Sequence, residues 1–211
     1  MDRICLISMA WLNMTYPSLG KVLDFDKALP VTEHWSAAAD FLKLISDYCL
    51  KNSPQVIMEC SSGTSSLVLS QCCQLNNTGH VYSLENGEAF VTKTTEQLSD
   101  FLLSEYCDVI HAPLQTVCLN GENFKWYDLD DLPDIAIDML VIDGPPGFLQ
   151  KYSRYPALPL LRKKLNEHCI VFLDDAARDD EQELIKRWLD EYPDFQAEYI
   201  ENERGCFILK R

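Results

Sequence analysis

Val56 to Ser66 reads VIMECSSGTSS: mostly apolar residues run into one carboxylate, Glu59, and then into serines around a single glycine. A short apolar run that changes abruptly to small polar residues reads as a buried strand entering a strand-to-helix turn. Gly63 can take a positive φ at the entry to the helix SSLVLSQCCQL, and Ser61, Ser62 and Ser65 are small enough to let the backbone approach a ligand closely. With one glycine the turn lacks the G-x-G-x-x-G pyrophosphate cradle, and the Walker-type lysine motif is missing too. A carboxylate beside such a turn is a poor neighbour for a phosphate and suits an amine or sulfonium charge.

Four further apolar runs follow downstream, HVYSLE, CDVIHA, DMLVID and CIVFLD, with helical patterns between most of them. Strands alternating with helices imply right-handed crossovers and a parallel sheet covered on both faces. At the C-terminus FQAEYI and GCFILKR, joined by ENERG with Gly205, read as an antiparallel hairpin. The expected fold is therefore α/β, a Rossmann-like, mostly parallel seven-stranded sheet with helices on both faces and a C-terminal antiparallel hairpin. Upstream, Trp35, Ala38, Ala39, Leu42, Ile45 and Cys49 recur at helical spacing behind Thr32, which predicts a helix that Thr32 caps and that ends near Asn52. Residues 1–31, with Pro17, Gly20 and Pro30, read as a loosely organised arm or lid before a domain spanning 32–211.

In a sheet of this kind ligands sit at the carboxyl ends of the strands, near the point where strand order reverses. The residues delivered there are Glu59, Glu85, His111, Asp143 and the pair Asp174-Asp175. Glu85, at the end of the second strand, can accept both hydroxyls of a ribose. Asp143 and the Asp pair end neighbouring strands about 4.8 Å apart, so their carboxylates converge and need a counter-charge. Magnesium, an oxygen-seeking ion with ligands at about 2.1 Å, would supply it and could hold an acceptor hydroxyl. In the competing reading Asp174 or Asp175 caps a helix from Ala176, leaving Asp143 to orient the acceptor or take its proton. The segment FLQKYSRY brings Lys151, Tyr152, Arg154 and Tyr155 to the acceptor side, with Arg154 either an anion binder or a solvated helix start. Trp126 and Tyr127 read as buried anchors, with substrate stacking as the alternative, while His34 and His80 carry no catalytic reading and His111 reads as a polar cap.

These segments resemble the class I S-adenosylmethionine-dependent methyltransferases. ECSSGTSS is similar to the family's first motif, VYSLEN to its ribose-binding segment, VIHAPL to its adenine-pocket segment and DMLVIDGPPG to its fourth motif. RYPALPLLRKKL followed by CIVFLDDAARDDEQELIKRWLDEYP resembles a bacterial small-molecule O-methyltransferase subgroup, so the likeness runs from Thr32 to Arg211. The resemblance implies an enzyme that moves a methyl group from S-adenosylmethionine to a small-molecule acceptor, at a hydroxyl. It implies Glu59, Ser61, Gly63 and Ser65 around the methionyl end, Glu85 with Asn86 at the ribose and Ala112 with Pro113 at the adenine. Asp143 would stand beside the transferred methyl, as both a cofactor-binding and a catalytic residue. Metal-dependent O-methyltransferases resemble the arrangement of Asp143, Asp174 and Asp175, which would then bind Mg2+. Ser61 departs from the pattern, standing where the family most often has its first glycine, and is accommodated if its backbone angles are ordinary. Two alternatives stand beside this reading: a noncatalytic S-adenosylmethionine-binding relative, and a nucleotide-cofactor enzyme on a related sheet, which would need the glycine fingerprint.

Composition sets the surroundings. Lys plus Arg number 18 against 33 Asp plus Glu, a formal charge of −15 that repels phosphate backbones and anionic lipid headgroups. The expected partner is the small-molecule acceptor, with no nucleic acid and no membrane; a homo-oligomer is compatible with the sequence. The N-terminal MDRICLISMAWLNM lacks a signal-peptide pattern, and no apolar stretch is long enough to span a bilayer. Nine cysteines without metal-ligand spacing, two of them the vicinal Cys72-Cys73, indicate reduced thiols and a cytoplasmic setting.

Overall fold

The computed structural model of the chain describes residues 14–33 and 35–211. His34 and the first 13 residues of the expected arm lie outside the described residues. The five apolar runs form strands β1 (Val56–Cys60), β2 (His80–Glu85), β3 (Cys107–His111), β6 (Ile137–Ile142) and β7 (Leu165–Leu173). The C-terminal hairpin consists of β8 (Gln196–Ile200) and β9 (Cys206–Lys210). Together they make one seven-stranded sheet in the order β3-β2-β1-β6-β7-β9-β8. Pairing is parallel from β3 through β7 and antiparallel where β9 joins β7 and β8 joins β9.

Strand order reverses between β1 and β6, so the crevice that opens above their carboxyl ends is the expected ligand position. Helices α1 (Tyr16–Val22), α2 (Ala39–Asn52), α3 (Thr64–Asn76) and α4 (Glu88–Asp100) belong to the N-terminal half, and α5 (Ala157–Leu161) and α6 (Asp179–Glu191) to the C-terminal half. One core packs Phe41, Leu42 and Ile45 of α2 against Leu67 and Val68 of α3 and the near face of the sheet. A second gathers Trp126, Tyr155, Leu158 and Trp188 with Met58, Leu140 and Val171 on the other face. Covered on both faces, Ile57, Met58 and Cys60 of β1 are fully buried, which is why the strand reads as a continuous apolar run.

Three expectations change. The helix predicted from Thr32 starts at Ala39, with Ala38 as its extended cap residue. The Ser36 hydroxyl accepts from Thr32 N at 2.8 Å and Ser36 N donates to Thr32 O at 2.9 Å, so a local turn captures the would-be first turn of helix. The described part of the arm is not loose: α1 is capped by Thr15, and Leu19 and Leu23 have no exposed surface in the first core. Finally, no helix links β3 to β6. That crossover is a two-stranded hairpin, β4 (Leu114–Leu119) with β5 (Glu122–Tyr127), which buries Phe124, Trp126 and Tyr127. Trp126 and Tyr127 are thus anchors, as expected. Among the described residues no helix is long and apolar enough to cross a membrane.

Candidate active site

The strand-end residues do gather at one rim, but they play unequal parts there. Glu59 lies behind the loop rather than in it, with no exposed surface. Its Oε2 accepts the hydroxyls of Ser66 and Ser83, each at 2.6 Å, and Ser66 Oγ accepts from Gly63 N at 3.1 Å. Glu59 therefore pins the turn through α3. Its Oε1 has no hydrogen-bond partner among the described residues, and burial pushes the carboxyl up to about 7, opposed by the serine hydroxyls. Ser66 and Ser83 are site-supporting residues that the sequence reading passed over; Ser83 is the polar residue in the otherwise apolar HVYSLE.

The turn itself is held in unusual backbone angles. Gly63 has φ 141, a region closed to residues with a Cβ, and nothing lies within 4 Å of where that Cβ would stand. Ser61 has φ 100, so the expectation of ordinary angles is corrected: the position demands what glycine adopts freely, and serine holds it under strain. Ser61 N is tied to Leu84 O at 2.9 Å. Gly144, just past Asp143, must also be glycine, since a Cβ there would sit 2.3 Å from the Tyr127 hydroxyl and 3.0 Å from Ser61 Cβ.

Glu85 is buried at 6 % exposure under Ser62: its Oε2 accepts Ser62 N at 3.2 Å and Ser62 Oγ at 3.0 Å, and its Oε1 accepts Gly87 N at 2.9 Å. Asn86 is half-buried beside it. Ala112 is buried and donates its N–H to Glu85 O at 2.7 Å, while Pro113 is exposed. Ser61, Gly63, Ser65 and Asp143 border a narrow recess of about 50 Å3, which is covered by Thr32, Trp35 and Ser36. Lys93 Nζ donates to Thr32 Oγ1 at 2.9 Å and Thr64 Oγ1 to Pro30 O at 2.7 Å, holding that cover down.

Next to the recess opens a cleft of about 630 Å3, a size that accommodates a small ligand. Trp35, Ser61 and Asp143 border both spaces. At the mouth the exposed Trp35 ring lies 6.1 Å from those of Phe90 and Phe148. Asp143 and Asp175 line this cleft and the fully buried Asp174 lies behind them; ligand-type atoms of the three lie within 4.8 Å of one another, as their strand positions predict.

The counter-charge they require comes from the protein. Arg154, expected at an exposed acceptor-side position, is buried at 2 % exposure. Its Nη1 donates to Asp174 O at 2.7 Å; its Nη2 donates to Asp143 O, to Asp143 Oδ1 at 3.1 Å and to Asp175 Oδ2 at 2.6 Å. Arg178 Nη1 adds a second contact to Asp175 Oδ2 at 2.9 Å. Asp174 is fully buried, neither of its carboxyl oxygens has a partner among the described residues, and burial holds it well above the usual carboxylate range. Carboxylates of Asp143 and Asp175 that already bind guanidinium groups do not offer the open oxygen set of an ion that needs about six oxygens at about 2.1 Å. The expected Mg2+ set of Asp143, Asp174 and Asp175 therefore converges around an arginine. Nor does either aspartate of the pair cap a helix at Ala176: α6 starts at Asp179 behind Arg178.

This strand order, with a small-residue turn after β1 and an aspartate after β6 at the switch point, is the architecture of the class I methyltransferases. The chain belongs to the methyltransferase domain family, whose model matches residues 60–176 of the 211. No curated protein matches it in sequence. Among solved structures it is similar to the O-methyltransferase TomG of Streptomyces achromogenes, involved in tomaymycin synthesis and solved with S-adenosylmethionine (14 % identity, 91 % of this chain and 85 % of that one, TM-score 0.63). An O-methyltransferase of Bacillus cereus, solved with S-adenosylhomocysteine, is alike over 98 % of this chain and 93 % of its own at 13 % identity and TM-score 0.64. A precorrin-6y C5,15-methyltransferase of Geobacter metallireducens matches at 16 % identity, 88 % and 94 % coverage and TM-score 0.61. At these identities the likeness speaks to the fold.

Proposed function

We propose that the protein transfers the methyl group of S-adenosylmethionine to a hydroxyl of a small-molecule acceptor. The observation that carries this reading is the shared wall: Ser61 and Asp143 border both the recess under the β1 turn and the larger cleft, so one end of a donor at the recess and an acceptor in the cleft would meet at Asp143. When bound, the sulfonium cofactor supplies an electrophilic methyl carbon. Ser61, Gly63 and Ser65 would border its methionyl end, with Glu59 holding their turn in shape. Glu85 and Asn86 would take the ribose, Glu85 exchanging its bond from the Ser62 hydroxyl for ribose donors, and Ala112 with Pro113 would border the adenine. Asp143 would take the proton of the acceptor hydroxyl as that oxygen displaces sulfur from the methyl carbon, the carbon–sulfur bond breaking to leave the neutral thioether. Burial raises the Asp143 carboxyl above its ordinary range, with the Arg154 charge opposing it, which makes it a stronger base than an exposed aspartate. The exposed rings of Trp35, Phe90 and Phe148 suit an acceptor with an apolar or planar body.

A second reading, a relative that binds the cofactor without turnover, draws support from Arg154, which already binds the Asp143 carboxylate. Transfer of labelled methyl from S-adenosylmethionine across a panel of hydroxylated compounds separates the two. On the first reading one acceptor is methylated and Asp143→Asn lowers its rate by about 10²-fold or more with cofactor affinity retained. Cofactor binding with no transfer to any acceptor would favour the second.

A further inference from the structure

Both terminal nitrogens of Arg154 are held by the main chain and carboxylates around it, while its Nε has no partner among the described residues. A guanidinium keeps its charge in any protein setting and is costly to strip of water, so a sequence that buries one does so against fixed partners. Here they are the main-chain oxygens of Asp143 and Asp174 and the carboxylates of Asp143 and Asp175, with Glu181 Oε1 3.8 Å away. Its flanking residues Ser153 and Tyr155 are buried as well, at 3 % and 0 % exposure, so the side chain sits in packed surroundings. Asp175 Oδ2 already receives Nη2 of Arg154 and Nη1 of Arg178, which leaves it little capacity for a metal.

We propose that Arg154 is the built-in cation of this cleft: it neutralises and positions the carboxylates of Asp143 and Asp175 and closes the cluster to divalent ions. A metal at the convergence point would stand against the permanent positive charge of a guanidinium held at 2 % exposure. Removing that charge leaves the oxygens of Asp143, Asp174 and Asp175 within 4.8 Å of one another and facing a space the size of a guanidinium. The cluster would then bind a divalent ion for the same reason it now binds arginine. Arg154 is a positioning residue here. For its catalytic consequence, turnover without metal, the inference rests on the methyl-transfer reading; its metal-exclusion half does not.

The test titrates Mn2+, followed by electron paramagnetic resonance, into the wild type, Asp175→Asn, Arg154→Lys, Arg154→Ala, and Arg154→Ala combined with Asp175→Asn. The wild type and Arg154→Lys should bind no Mn2+ at this cluster. Arg154→Ala should gain a site at least about tenfold tighter than either, and Asp175→Asn should remove the gain. Wild-type Mn2+ binding that Asp175→Asn abolishes overturns the inference, whether or not Arg154→Ala folds. So does a folded Arg154→Ala that gains no Mn2+ affinity. Once an acceptor is known, turnover should persist in EDTA; loss of turnover in EDTA sinks the proposal while leaving methyl transfer standing. Failure to bind S-adenosylmethionine sinks the methyl-transfer reading and leaves the Mn2+ result untouched.

Discussion

Glu59 is the carboxylate with which VIMECSSGTSS poses its question, and it answers from behind the turn, where burial lifts it from 4.5 up to about 7. Below about pH 4.5 both the folded and the unfolded chain hold this proton, and above about pH 7 both have released it. Between the two the unfolded chain releases it first, so folding stability falls as pH rises through that window, by up to about 3 kcal/mol from this group. Urea denaturation at about pH 5 and about pH 8 should therefore show a smaller loss for Glu59→Gln than for the wild type; equal losses would mean that Glu59 is not buried as described. Ser61 makes a second case. Its φ of 100 costs a side-chain-bearing residue about 1–3 kcal/mol, and the extra chain entropy of glycine takes back part of that, so Ser61→Gly should stabilise the fold by about 1 kcal/mol in the same assay. A loss of stability would show that the serine side chain contributes more than its backbone strain costs. The acid was legible in the sequence and the strain was not, because serine is compatible with ordinary angles and a tertiary bond from Ser61 N to Leu84 O imposes the unusual ones.

The β4–β5 hairpin is the element that the sequence reading missed, although it carries a local signal. Asn120-Gly121, with φ 52 and φ 82, is the two-residue turn that joins tightly paired antiparallel strands. It stands where strands alternating with helices would place a crossover helix. Its inner face holds Trp126 at 0 % exposure, so Trp126→Ala should cost about 3–5 kcal/mol of stability by calorimetric or denaturant unfolding. A cost under about 1 kcal/mol would show the hairpin to be dispensable to the second core. The central strands β1, β6 and β7 were legible for the opposite reason: buried on both faces over most of their length, they are short apolar runs ending in polar residues, and the parallel arrangement fixes where those ends point. The start of α2 was not, since helical periodicity continues upstream through Trp35 while the Ser36 hydroxyl bond to Thr32 N closes a different turn.

Across the whole molecule, a charge of −15 leaves no counterion-release drive toward nucleic acid, and titration of a fluorescent oligonucleotide at physiological salt should show no complex. A micromolar complex would reveal a basic surface hidden by the totals. The rim of the candidate site was legible because one topological rule brings strand ends together, whatever their distance in sequence. Its cation was not: Arg154 reaches carboxylates 11 and 21 residues away through a turn whose conformation no local pattern specifies. What the molecule does turns on the donor subsite beside Asp143, and isothermal titration calorimetry with S-adenosylhomocysteine probes it without knowledge of the acceptor. The wild type should bind at one site with micromolar affinity, weakened about tenfold to a hundredfold by Glu85→Ala. Absence of any binding by the folded wild type would contradict cofactor-dependent methyl transfer.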